Sequence, residues 1–192
     1  RYFIIYKPVN MVSQFISSHK VNLLGNLNYD FPEGTHAIGR LDQNSEGLLL
    51  LTTNKKITKL LFQGEKPHIR TYLVQVKNKM TLETARRLER GIEISANDGS
   101  TYLTSPCAVN LVEQPDYITE PLIPLHPNAE NSWLEISLTE GKFHQVRKMV
   151  AAVHHKCIRL IRIAIEDIHI KGLNPGQVVE VDETYFFEKL HL

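Results

Sequence analysis

Cysteine is nearly absent from this 192-residue chain, which has only Cys107 and Cys157. Two are too few for a disulfide framework, and their separation is not that of a metal-ligand pair. Long apolar runs are missing as well. The run Gly47–Leu51 is far too short to cross a bilayer. No secretion-type segment opens the sequence, because Arg1-Tyr2-Phe3-Ile4-Ile5-Tyr6-Lys7-Pro8 reads as a strand running into a turn. There is no nucleotide-cradling glycine loop and no cofactor fingerprint. The nine histidines are scattered, and the one adjacent pair, His154-His155, would diverge by about 100° on a helix. The net charge of +1 excludes a polycation. These absences lead to the expectation of a cytoplasmic protein that uses no metal and no cofactor.

A hydrophobic content of 42% is enough for a real core, and the length fits one domain over 1–192, or one domain made of two closely packed halves. Charge is unevenly spread. Between Gly141 and Ile165 there are six basic residues and no acidic one, and between Lys55 and Arg90 ten basic residues face three acidic ones. Acidic residues gather in 113–140 and 166–188. The asymmetry suits one phosphate-facing side, or equally a solvated mixed-charge surface.

Strand-like runs recur at Tyr2–Tyr6, Gly47–Thr52, Thr71–Lys77, Ser105–Glu113, Ser132–Thr139, Cys157–Ile165 and Gln177–Val181. Leu134, Ile136 and Leu138 share one face of an alternating run. Helices fit Lys55–Phe62, Leu82–Arg90 (Thr81 as N-cap, Gly91 as stop), Phe143–His154, and a short segment near Glu183–Lys189. Strands outnumber helices and most links are short, which argues for an α+β fold with a largely antiparallel sheet. Prolines punctuate Gln114–Asn131, including Leu122-Ile123-Pro124-Leu125-His126-Pro127, a loop suited to partner contact.

Chemistry concentrates in His36–Asn54, where Gly39-Arg40-Leu41-Asp42 precedes Gln43-Asn44-Ser45-Glu46 and the apolar run that begins at Gly47. If residues 40–42 are extended, Arg40 and Asp42 project to the same side. A guanidinium beside a carboxylate favours its ionised form, the form a carboxylate nucleophile needs. The same pair equally suits a role that does no more than order a turn. A hydrolase using Asp42 with Glu46 would need two facing carboxylates, and four-residue spacing in a turn does not provide that. Tyr72, in Arg70-Thr71-Tyr72-Leu73-Val74, is either strand packing or a π-face with a phenol oxygen. In Glu140–Met149, glycine permits a sharp turn into a helix that would bury Phe143, Val146, Val150 and Val153. His144, Arg147, Lys148 and Ala151 would line another face.

Gly39-Arg40-Leu41-Asp42 with its apolar run resembles the catalytic motif of the RsuA/RluB/RluE family of bacterial rRNA pseudouridine synthases, and most the stand-alone RluE type. Lys7-Pro8, Tyr72-Leu73-Val74, Glu140-Gly141 with Gln145-Val146-Arg147, and Cys157–Arg162 are similar to that family's further elements. The resemblance implies a bent, largely antiparallel mixed sheet in two halves flanked by helices, with a central cleft. It implies that Asp42 is the nucleophile on a flipped-out uridine and that Tyr72 is proton acceptor at uracil C5. Arg147 would pair with Asp42, and Arg40 would pair with it too or help displace the base. Lys7, Lys142, His144, Lys148 and Arg159 would contact RNA. The implied partner is ribosomal RNA, foremost 23S, with 16S rRNA, tRNA or a non-catalytic RNA-binding role as alternatives. No N-terminal S4-type domain is expected in this chain, and a monomer is expected.

Overall fold

The computed structural model describes residues 1–63, 66–96, 98–121, 125–126 and 128–192. The elements, in chain order, are β1 (Tyr2–Lys7), β2 (His36–Ile38), β3 (Glu46–Thr52), α1 (Ile57–Gln63), β4 (Arg70–Lys77), α2 (Leu82–Glu89), β5 (Glu93–Ser95) and β6 (Thr101–Leu103). They continue with β7 (Ala108–Val112), β8 (Asn131–Leu138), α3 (Gln145–Ala152), β9 (Cys157–Ile165), β10 (Ile168–His169), β11 (Val178–Val181) and α4 (Glu183–Leu190). The fold is α+β with a mixed, mostly antiparallel sheet, as the sequence pattern implied. Among the described residues no helix is long and apolar enough to cross a membrane. The chain divides into two compact units, residues 1–70 with 161–192, and residues 71–160.

In the first unit, β1 lies between β11 and β3, antiparallel to both, and β3 runs parallel to β9 where Glu46 meets Ile161 and Gly47 meets Arg162. Every residue of β1 and β3 is buried. Continuous burial explains why these strands read as unbroken apolar runs rather than as alternating ones. Leucine is a good helix former, yet Gly47 at φ 104 and the short length of the run favour a central strand. Helix α4 is capped by Asp182, which accepts from the Tyr185 N–H at 2.8 Å, and it buries Phe186 and Leu190.

In the second unit the strand order is β4-β8-β7, with β5–β6 a separate hairpin. Strands β7 and β8 pair from Ala108 with Ser137 to Val112 with Trp133. Leu134, Ile136 and Leu138 are buried together with Val146, Met149, Val150 and Val153 of and beside α3. Thr81 caps α2 as its position suggests, accepting from the Thr84 N–H at 3.2 Å. Gly91 follows the helix at φ 93, where a Cβ would meet the Thr104 carbonyl at 2.4 Å.

Helix α3 departs from expectation at its start. It begins at Gln145 rather than Phe143, because His144 adopts the left-handed conformation at φ 54. The turn is closed by Gln145, whose side-chain oxygen accepts from the Lys142 N–H at 2.8 Å while its own N–H donates to the Lys142 carbonyl at 3.1 Å. Phe143 is therefore not a core residue. It is 56% exposed and stacks on His144, with ring centroids 3.9 Å apart. Of the proline-punctuated loop, residues 122–124 and 127 lie outside the described residues.

Candidate active site

Asp42 occupies a turn between β2 and β3, half-buried, with its carbonyl accepting from the Ser45 N–H at 3.0 Å. Leu41 points inward and is buried, while Arg40 is exposed. Among the described residues Arg40 makes no hydrogen bond or ion pair, so the expected Arg40–Asp42 pair is not formed. The physical reason is its position: an exposed guanidinium gains little from a single ion pair and keeps its hydration.

Lys7, expected to support the motif or the RNA backbone, is 0% exposed. Its ammonium donates to the carbonyls of Pro8 at 2.8 Å and Met11 at 2.6 Å, tying the loop that leaves β1. Its pKa is lowered from 10.5 to about 8: burial is the largest cause, the charges of Glu46 and Asp42 offset part of it, and Arg162 adds to the lowering. Lys7, Asp42, Glu46 and Arg162 thus share one electrostatic neighbourhood. Glu46 is buried at the head of β3, where the Tyr6 hydroxyl donates to it at 3.4 Å. Arg162, 3% exposed, donates through Nε to the Leu48 carbonyl at 2.8 Å. Sequence reasoning gave Arg162 no role beyond its charge.

The depressed Lys7 pKa sets a stability window. Between pH about 8 and 10.5 the unfolded chain holds a proton that the folded chain releases, so folding strengthens as pH rises through that interval. Wild type should gain about 2–3 kcal/mol relative to Lys7→Met between pH 7 and pH 10.5, read by urea unfolding at both values. A difference that stays flat across that range would refute the assignment.

In the second unit, Tyr72 sits on β4, partly buried against the core cluster. Among the described residues its hydroxyl makes no hydrogen bond. Arg147 projects from α3, half-buried, with Nη1 3.6 Å from the Cys157 sulfur. Lys142 is exposed and lies 4.5 Å from the Tyr102 ring centroid. Lys148 donates to the Ser95 carbonyl at 2.8 Å. Arg159, expected to contact RNA, is only 7% exposed and donates to the Thr119 carbonyl at 2.7 Å, within the proline-punctuated loop. Glu140 accepts from Tyr102, Ser105 and Gln145. Burial pushes its carboxyl up, but those hydrogen bonds outweigh burial and hold it below the usual range. Among the described residues no cluster of histidine, cysteine or acidic groups has the arrangement of a metal site.

The family model described as RNA pseudouridylate synthase matches residues 1–152. A ribosomal large subunit pseudouridine synthase E from Vibrio parahaemolyticus serotype O3:K6 is 32% identical over 179 residues, covering 93% of this chain and 72% of the relative. The protein of the same name from Xanthomonas axonopodis pv. citri is 32% identical over 174 residues, covering 90% of this chain and 89% of the relative. A ribosomal large subunit pseudouridine synthase B from Bacillus subtilis is 28% identical over 180 residues, covering 94% and 67%. A crystal structure of a pseudouridylate synthase shares the fold at TM-score 0.76 and 24% identity, covering 98% of this chain and 73% of that one. The chain belongs to the RNA pseudouridylate synthase family and is an isomerase. Within that family it falls in the RsuA/RluB/RluE group.

Proposed function

We propose that this enzyme converts a uridine of large-subunit ribosomal RNA to pseudouridine, with Asp42 as the nucleophile. The observation that carries the reading is similarity over nine-tenths of the chain to proteins named for large-subunit pseudouridine synthesis. The target uridine leaves its stack, at a cost of about a few kcal/mol that phosphate contacts offset. Exposed Lys142, with His144 and Lys148 at the start of α3, suits such contacts. In one route an Asp42 carboxylate oxygen bonds to ribose C1′ as the bond from N1 to C1′ breaks; the uracil turns, and C5 bonds to C1′ as the Asp42–C1′ bond breaks and the carboxylate leaves. In the other, Asp42 takes the C2′ proton as the bond from N1 to C1′ breaks, giving a glycal, and returns that proton to C2′ as C5 bonds to C1′. In both, Tyr72 takes the C5 proton, and the N1 left with the electron pair of the broken bond gains one. The sum is an isomerisation, so no oxidant, reductant or external group is required. Arg147 supplies positive charge to the chemistry, and exposed Arg40 fills the space the base leaves. Cytoplasmic rRNA is the substrate pool this reading requires.

The test uses rRNA from a strain lacking the enzyme. After incubation with the purified protein, pseudouridine is mapped by carbodiimide treatment and primer extension on 23S and 16S rRNA separately. A new stop at one 23S uridine is expected. A stop confined to 16S rRNA would move the substrate, and no stop on either would sink the proposal.

A further inference from the structure

The loop that leaves β1 grips the Asp42 turn on both sides. Ser13, buried and 28 residues before Leu41, donates its hydroxyl to the Leu41 carbonyl at 2.9 Å. The same oxygen accepts from the Leu41 N–H at 2.9 Å. One side chain therefore satisfies both backbone polar groups of the residue immediately before Asp42, as a neighbouring strand would. On the far side, the Asn10 N–H donates to the Gln43 carbonyl at 2.8 Å. The gripping loop is itself fixed, because Lys7 gathers its carbonyls, Met11 bridges to Asn22, and the Val12 N–H donates to the Asn22 carbonyl at 2.9 Å.

We propose that Ser13 is a positioning residue for the isomerisation: its hydroxyl fixes the peptide entering Asp42 and thereby the direction in which the carboxylate points. The proposal rests on Asp42 being the nucleophile. Leu41 is buried, so water does not reach its N–H and carbonyl, and without the hydroxyl both lose their partner. The peptide between Leu41 and Asp42 then turns toward other partners and carries the Asp42 Cα–Cβ bond with it. A serine that served only its own hydroxyl would need one acceptor. Ser13 instead makes a reciprocal pair with a single distant residue, and that residue adjoins the nucleophile.

The experiment compares Ser13→Ala, Ser13→Thr and Asp42→Asn with wild type on 23S rRNA, measuring kcat, KM and melting temperature. Ser13→Ala is expected to lower kcat about 10²-fold at unchanged KM, the scale of a misplaced reacting group. Ser13→Thr, which keeps the hydroxyl, should recover at least about tenfold of that loss. If Ser13→Ala melts below the assay temperature, Ser13→Cys carries the comparison, its weak thiol donor giving a smaller drop in kcat. A kcat per folded molecule equal to wild type in these variants, whatever the melting temperature, overturns the proposal while Asp42→Asn remains inactive. An active Asp42→Asn would instead overturn the nucleophile assignment, whatever Ser13 does.

Discussion

Asp42→Asn should produce no detectable pseudouridine from an enzyme that remains folded. The amide matches the carboxylate in size but is neither a nucleophile nor a base at neutral pH, so both routes at the ribose close together. Loss of a covalent nucleophile costs at least about 10⁴-fold in kcat in enzymes that depend on one. The fold should survive, because three contacts that hold the turn fall on its main chain and not on the Asp42 carboxylate: Ser45 N–H to the Asp42 carbonyl, Asn10 N–H to the Gln43 carbonyl, and the Ser13 hydroxyl to both backbone polar groups of Leu41. Asp42→Glu keeps the charge and displaces it by one methylene, for an expected loss of about 10²-fold. Product formation on rRNA under single-turnover conditions reads both, with circular dichroism as the check on folding. Turnover by Asp42→Asn within tenfold of wild type would remove Asp42 from the mechanism.

How much of this was legible in the sequence depended on whether a signal was local. Strands β1, β3, β8 and β9 announced themselves, since each carries enough apolar residues to show a period or an unbroken run. Strands β2, β5 and β6, three residues each, show no period, and only their pairing partners define them. The burial of Lys7 and Arg159 was not legible for a related reason. Lysine and arginine are almost never fully buried unless paired, so Lys7 and Arg159 read as surface charges. What buries them is a set of carbonyls that the fold brings into reach. Phe143 was misread because helical periodicity was extended through a left-handed His144. Ser13 carried no signal at all: a lone serine between Val12 and Gln14 says nothing about a leucine 28 positions later.

Gly47→Ala should cost about 4 kcal/mol or more, a large part of the roughly 5–15 kcal/mol that holds a domain together. A Cβ at this position would stand 2.3 Å from the Arg162 carbonyl oxygen, 2.8 Å from the Arg162 nitrogen and 2.9 Å from Ile161 Cγ2. The first two are backbone atoms of β9, so no rotamer change relieves the contact and β3 must be pried from its parallel partner. Glycine's φ of 104 adds strain for any L side chain. Gly34→Ala separates the two causes. Gly34 sits at φ 80 in the same unit with nothing within 4 Å of its Cβ position, so it carries backbone strain without the clash, about 1–2 kcal/mol. Urea unfolding of the two variants side by side reads the difference, and a Gly47→Ala loss no larger than that of Gly34→Ala would refute the close approach. The consequence reaches the chemistry, because β3 begins where the Asp42 turn ends. A strand shifted to admit one methyl group shifts the end of that turn, so Gly47→Ala should lose isomerase activity even at temperatures where it stays folded.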